Sequence, residues 1–96
     1  MSAIENLLQV MKDLRDPEHG CPWDIRQTSA SIAGYTLDET HEVLDAIERN
    51  DTDNLKEERG DLLFNIVFHA RIAEEQGQFD FDDVARGITD KMLRRH

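Results

Sequence analysis

The hydrophobic positions of this chain repeat with the period of an α-helix along most of its length. Near the N-terminus, apolar residues recur at spacings of three and four, as on one face of a helix. Ser2 and Glu5 precede them with the spacing of a capping box. Residues 15–24 then break the pattern with two prolines and a glycine, which predicts a loop. The apolar residues of this first helix are Ile4, Leu7, Leu8, Met11 and Leu14.

Three more helices are predicted after the loop. The second runs from about Thr36 to about Arg49, or begins earlier, near Ser29, with a kink at Gly34. A short turn over residues 50–54 leads to the third helix, which Gly77 ends, and Asp80 caps the fourth between Phe79 and Val84. No period-two alternation indicates a strand, so the predicted fold class is an all-α bundle of about four helices. The residues expected to face inward are Leu37, Val43, Leu44 and Ile47, then Leu55, Leu62, Leu63, Ile66, Val67, Ala70 and Ala73, and finally Val84, Ala85, Ile88 and Met92.

Carboxylates are concentrated in two steps of three residues on the second and third predicted helices. Glu39 and Glu42 form the first step, and Glu58 and Asp61 form the second. Residues three apart share a helical face, and both steps border apolar stripes. If the two helices pack antiparallel through these stripes, the four carboxylates meet at the seam. Such a set of hard oxygen ligands suits Mg²⁺, with Mn²⁺ as an alternative.

A structural interpretation of the same acids stays open. Thr36 and Glu39 also have capping-box spacing, and acids in the first turn of a helix stabilise its dipole. Under this interpretation the acids are caps and solvated surface. Asp45, Glu48 and Glu57 are expected to be solvated under either interpretation.

Positive charge is concentrated at the other end of the chain. Lys91, Arg94 and Arg95 are related by three and four positions, so one helical face can present all of them. They are either favourable charges at a helix C-terminus or a clamp for phosphate groups. Trp23 is either a loop anchor or a ring that stacks on a base, and Tyr35 has the same two interpretations.

Composition narrows the compartment and the partners. The 96 residues correspond to one domain, and the single cysteine, Cys21, excludes an internal disulfide and favours the cytoplasm. Charged residues interrupt every apolar run near the N-terminus, so neither a signal peptide nor a membrane span is predicted there. A net charge of −10 predicts repulsion from nucleic acids and anionic membranes.

Four segments together resemble the MazG family of all-α nucleoside triphosphate pyrophosphohydrolases: GCPWDIRQT, YTLDETHEVLDAI, ERGDLLFNIVFHA and FDFDDVARGITDKMLRRH. The resemblance covers nearly the whole chain. It implies Mg²⁺ at Glu39, Glu42, Glu58 and Asp61, and it implies triphosphate contacts from Lys91, Arg94 and Arg95. It also implies hydrolysis of the α–β phosphoanhydride bond, with Asp38 or Glu39 as the nearest base, and a dimer or a dimer-based assembly.

The chain departs from the family pattern in places. Asp38 stands where a glutamate is common, Ser29 where a histidine is common, and Leu93 where an acid is often found. The sequence is most similar to an N-terminal copy of the domain, and it ends at LRRH without a helix stop signal, as expected of a domain excised from a longer chain. Two alternatives to an active enzyme remain: a degenerate module that dimerises and binds nucleotide with little turnover, and a plain helical interaction domain.

Overall fold

The computed structural model describes residues 1–95, and five helices account for most of them. No strand occurs within these residues, which confirms the predicted all-α class. The four predicted helices are all present, and a short additional helix begins inside the segment predicted as a loop and ends one residue beyond it. None of the helices in residues 1–95 combines the length and hydrophobicity that a membrane span requires. The helices are α1 (Ala3–Leu14), α2 (Pro22–Ile25), α3 (Ser29–Glu48), α4 (Thr52–Glu75) and α5 (Phe81–Arg95).

The start of α3 resolves the alternatives for the second predicted helix. Thr28 is the N-cap, and it exchanges capping-box hydrogen bonds with Ser31, so the earlier start near Ser29 is confirmed. Thr36 lies inside the helix, where its hydroxyl donates to the carbonyl of Ile32 at 3.2 Å. The interpretation of Thr36 and Glu39 as a capping box is therefore wrong, because a cap must precede the first turn.

The chain reverses direction between α3 and α4 over three residues. Asn50 adopts a left-handed backbone with φ of 54°, and the Asp51 carboxylate then caps α4 by accepting from the Asn54 amide at 3.1 Å. So short a connection forces the two helices to pack antiparallel. Gly77, with φ of +71°, follows the end of α4 as predicted.

Helix α4 contributes most of the buried hydrophobic cluster. The cluster consists of Met11 from α1, Ile32 from α3, and Val67, Phe68 and Ile72 from α4. Phe81 at the start of α5 packs against this cluster, and Phe64 meets Phe68 edge to face with ring centroids 6.0 Å apart. The α3–α4 hairpin is thus the scaffold, and α1 and the first turn of α5 cover one end of it.

Several residues expected to face inward remain exposed. Leu37, Leu44 and Ile47 are 60%, 52% and 46% exposed, whereas Ile32 and Ala46 are buried. The side of α3 that contacts α4 carries Ile32, Thr36, Glu39, Val43 and Ala46, and the three exposed residues form a second apolar stripe beside it. The prediction is also wrong for α5, which buries none of its residues. Exposed apolar residues also include Leu63 and Ile66 of α4 and Val84, Ile88, Met92 and Leu93 of α5.

Candidate metal centre

The antiparallel hairpin brings carboxylates of α3 and α4 together. One oxygen from each of Glu39, Glu58 and Asp61 lies within 4.8 Å of the other two. Glu39 and Glu58 are partly buried, and Asp61 is exposed. We call these three residues the acidic cluster. The structure thus places three of the four predicted ligands at one point of the seam between the helices.

The fourth predicted ligand, Glu42, lies on the rim. It is exposed and does not belong to the group within 4.8 Å. Its negative charge still contributes to the raised pKa of Glu39, so it faces the same region. Asp38 is exposed, and no hydrogen bond or ion pair within residues 1–95 joins it to the acidic cluster.

Glu39 is the electrostatic centre of the acidic cluster. Burial raises the pKa of Glu39, and the negative charges of Asp61, Glu58 and Glu42 raise it further. Its Oε2 atom is buried and has no hydrogen-bond partner among residues 1–95. A buried carboxylate oxygen without a donor is costly, and a cation would satisfy it and neutralise its neighbours. Because every donor is a carboxylate oxygen, the residues fit Mg²⁺ or Mn²⁺ better than a soft metal.

A polar contact fixes α3 against α4 next to the acidic cluster. Thr36 Oγ1 lies 2.9 Å from His69 Nε2 and 3.3 Å from Asn65 Oδ1. Asn65 is buried, and its Nδ2 donates to the carbonyl of Asp61 at 3.1 Å. Sequence reasoning singled out neither Asn65 nor a link to His69. The available signal was the spacing of four that places Asp61, Asn65 and His69 on one face of α4.

Two aromatic residues lie at the neighbouring end of α3. Trp23 of α2 meets Tyr35 of α3 edge to face, with ring centroids 5.7 Å apart. Both side chains remain about half exposed. Tyr35 precedes Glu39 by one helical turn on the same side of α3, so the side chain of Tyr35 lies one turn away from that of Glu39.

The predicted basic residues lie on the last turns of α5. Lys91, Arg94 and Arg95 are all exposed. Within residues 1–95, no ion pair involves any of them. The structure therefore leaves these three side chains accessible and does not bring them into contact with the acidic cluster.

Comparison with known proteins identifies the family. Residues 27–96 match the model of the MazG nucleotide pyrophosphohydrolase domain. The whole chain aligns with a nucleoside triphosphate pyrophosphohydrolase of Escherichia coli K12 at 59% sequence identity, and the alignment covers 36% of that protein. The nucleoside triphosphate pyrophosphohydrolase/pyrophosphatase MazG of Thermotoga maritima aligns with the chain at 46% sequence identity. This alignment covers 97% of the chain and 36% of the Thermotoga protein. It therefore spans only about a third of these curated relatives.

The fold agrees with this match. The crystal structure of a mazG-related protein from Thermotoga maritima superposes with a TM-score of 0.76 at 28% sequence identity, covering 92% of this chain and 75% of that one. The matched segment of the family model includes all of the acidic cluster. The chain belongs to the family of MazG nucleotide pyrophosphohydrolase domains.

Proposed function

We propose that this chain hydrolyses nucleoside triphosphates to nucleoside monophosphates and pyrophosphate. The observation that carries the proposal is the acidic cluster, in which oxygens of three carboxylates lie within 4.8 Å of one another and Glu39 Oε2 is buried with no hydrogen-bond partner in the described part of the chain. Two of the similar curated proteins are named for this activity. Since the chain spans about a third of them, the activity comes to this chain as a proposal.

The acidic cluster would hold Mg²⁺, or Mn²⁺ in its place, with Glu42 joining Glu39, Glu58 and Asp61 from the rim. When bound, the cation supplies positive charge against the phosphate oxygens of the substrate. The protein contributes the positions of the ligands, because Thr36, Asn65 and His69 fix the register of α3 against α4. A register fixed before binding keeps the carboxylates together despite their mutual repulsion.

In the proposed reaction, a water oxygen attacks the α-phosphorus and the bond to the bridging oxygen of pyrophosphate breaks. The water proton passes to a carboxylate of the Asp38–Glu39 pair, the nearest bases on α3. Lys91, Arg94 and Arg95 of α5 would stabilise the charge that develops on the departing pyrophosphate. Trp23 would stack on the nucleobase.

Replacing both Lys91 and Arg95 with alanine is expected to weaken nucleotide binding about tenfold or more, because two charge-assisted contacts to the triphosphate are lost. Metal binding should be unchanged, since neither side chain contacts the acidic cluster. Calorimetric titrations with Mg²⁺ alone and with a Mg²⁺–nucleotide complex would measure the two effects separately. Lys56→Ala, which removes an exposed lysine of α4, is the matched control. Nucleotide affinity equal to that of the wild type in the double variant would contradict the assignment.

We also propose that the chain forms an obligate dimer. Helices α3, α4 and α5 leave large apolar side chains exposed, and soluble monomers rarely expose so many. Sedimentation at micromolar concentration should give twice the chain mass of 11.1 kDa. Leu44→Asp should dissociate the dimer, whereas Val10→Asp, at an exposed site on α1, should not. A monomer with intact helix content in the wild-type protein would contradict this proposal.

We further propose that the protein works in a reducing cytoplasm and has no nucleic acid or membrane partner. The single free cysteine supports this compartment, and the net charge of −10 supports the absence of these partners.

A product analysis tests the proposed reaction directly. The purified chain, incubated with Mg²⁺ and a set of ribo- and deoxyribonucleoside triphosphates, should yield monophosphate and pyrophosphate in equal amounts. Diphosphate with orthophosphate would contradict attack at the α-phosphorus. Tight Mg²⁺-dependent nucleotide binding without any product would favour the degenerate module.

A further inference from the structure

A single arginine joins the end of α1, the end of α4 and the turn that carries Trp23. The side chain of Arg15 is only 8% exposed. Its Nε and Nη2 donate to the two carboxylate oxygens of Glu75 at 2.9 and 2.7 Å, so the pair is bidentate. Its guanidinium group also lies over the ring of Phe68, 5.5 Å from the centroid. These contacts anchor the arginine to α4 and to the core.

The remaining nitrogen of Arg15 holds the turn after α2. Nη1 donates to the carbonyl of Asp24 at 2.6 Å and to that of Gln27 at 3.2 Å. The Asp24 carbonyl also accepts from the backbone N–H of Gln27 at 3.3 Å, so the cation adds a second, charge-assisted donor at the end of α2. Gln27 Nε2 also donates to the carbonyl of Trp23 at 2.8 Å, which closes the turn. The end of α2 and Gln27 after it are therefore tied, through one side chain, to α4.

The turn that Arg15 fixes borders an exposed aromatic surface, formed by Trp23 and Tyr35, that is not part of the hydrophobic core. Trp23 lies directly before Asp24, and its ring is positioned against Tyr35. Trp23 and Tyr35 are 42% and 49% exposed, whereas a large aromatic ring that only packs in the core would be buried. Side-chain packing supplies little restraint on a half-exposed ring, so the backbone of α2 sets where Trp23 points.

We propose that Arg15 is a positioning residue for nucleobase binding: by fixing the turn after α2, it holds Trp23 against Tyr35, one helical turn away from the acidic cluster. The inference rests on the proposed function in that Trp23 is taken as the contact for the base. Lysine cannot replace Arg15, because one ammonium group cannot bind both oxygens of Glu75 and both backbone carbonyls at once.

The test compares Arg15→Lys with Arg71→Lys. Arg71 lies 3.4 Å from the same Glu75 carboxylate, and it makes no hydrogen bond to the α2 turn within residues 1–95. Trp23 is the only tryptophan, so its fluorescence reports on this turn alone. In Arg15→Lys, the emission of Trp23 should shift to longer wavelength and acrylamide should quench it more. Arg71→Lys should match the wild type.

Kinetics supply the second readout. Arg15→Lys should raise KM for the nucleotide about tenfold, the loss expected when a base loses a stacking partner, with kcat little changed. Unchanged Trp23 emission and quenching in Arg15→Lys would overturn the proposal, as would a fall in kcat at constant KM. If Arg15→Lys does not fold, Glu75→Ala decides, because it removes both oxygens that anchor Arg15 on α4 and leaves Arg15 bound to the α2 turn alone by hydrogen bonds. The same fluorescence change supports the proposal, and a wild-type signal overturns it.

The two hypotheses fail in different ways. If the wild-type chain releases no pyrophosphate, the proposed function is wrong, and the fluorescence of Arg15→Lys still decides whether Arg15 positions Trp23. If pyrophosphate release is normal in the wild type and Trp23 responds to neither variant, the proposed function stands and the role given to Arg15 is wrong.

Discussion

Replacing Glu58 with glutamine is expected to slow pyrophosphate release by about 10²–10³-fold. A bound cation stabilises the charge of the transition state by several kcal/mol, and each ~1.4 kcal/mol of lost stabilisation lowers the rate tenfold. Glutamine keeps the size of the side chain and removes its charge. Glu58 shares a 4.8 Å group with Glu39 and Asp61, so the change acts at the centre of the proposed metal site. Initial rates of pyrophosphate release at saturating nucleotide and Mg²⁺ would measure it.

Glu57→Gln is the matched control for this experiment. Glu57 adjoins Glu58 in α4, is exposed and lies outside the acidic cluster, so the substitution alters the net charge of the protein equally. Its rate should stay close to that of the wild type. Equal losses in both variants would mean that general charge matters and that Glu58 has no specific role. A Glu58→Gln protein with full activity would remove it from the site.

Mg²⁺ is expected to stabilise the wild-type protein by about 2.7 kcal/mol when its concentration is a hundred times its dissociation constant, because a ligand that binds only the folded state shifts the equilibrium by mass action. For a chain of this size the melting temperature should rise by about 10–20 °C. Glu58→Gln should lose most of this gain. Thermal unfolding with and without Mg²⁺, at constant ionic strength and protein concentration, would measure the difference.

Without Mg²⁺, the effect of Glu58→Gln on the stability of the folded protein should have the opposite sign. The charges of Asp61 and Glu58 help to raise the pKa of Glu39, so at neutral pH the ionised acidic cluster opposes folding. When folding raises the pKa of a carboxyl group, the free energy of unfolding falls as the pH increases through the raised pKa. Removing one negative neighbour of Glu39 relieves part of the repulsion that causes this loss. Glu58→Gln should therefore leave the metal-free stability unchanged or increase it. Identical Mg²⁺ responses in the two proteins would show that Glu58 is not a ligand.

Local spacing was sufficient to predict much of this protein. The all-α class, the four long helices, the capping box of Ser2 and Glu5, and the stop at Gly77 follow from interactions within a few residues of the chain. The two acidic steps could likewise be recognised, because residues three apart must share a helical face. The resemblance to the MazG family depends on the order of such local motifs, and the family match agrees with it.

The tertiary structure decided which of these faces meet. Helical periodicity shows that Leu37 and Ile32 are both apolar, but only the packing of α3 on α4 buries Ile32 and leaves Leu37 exposed. The same packing places Glu39 among the carboxylates of α4 and leaves Glu42 on the rim, since Glu42 lies about 4.5 Å further along α3 and is rotated by about 60° from Glu39 around the helix axis.

Long-range contacts of single polar side chains were the least predictable feature. Arg15 contacts Glu75, which is 60 residues away in the chain, and Thr36 contacts His69, which is 33 residues away. Nothing in the neighbourhood of Arg15 or Thr36 distinguishes either from a surface residue. The sequence by itself determined the helices and the chemistry of their faces, because both arise from contacts within a turn or two. Only the folded chain determined which carboxylates converge and which arginine is buried, because those depend on the crossing of helices far apart in the sequence.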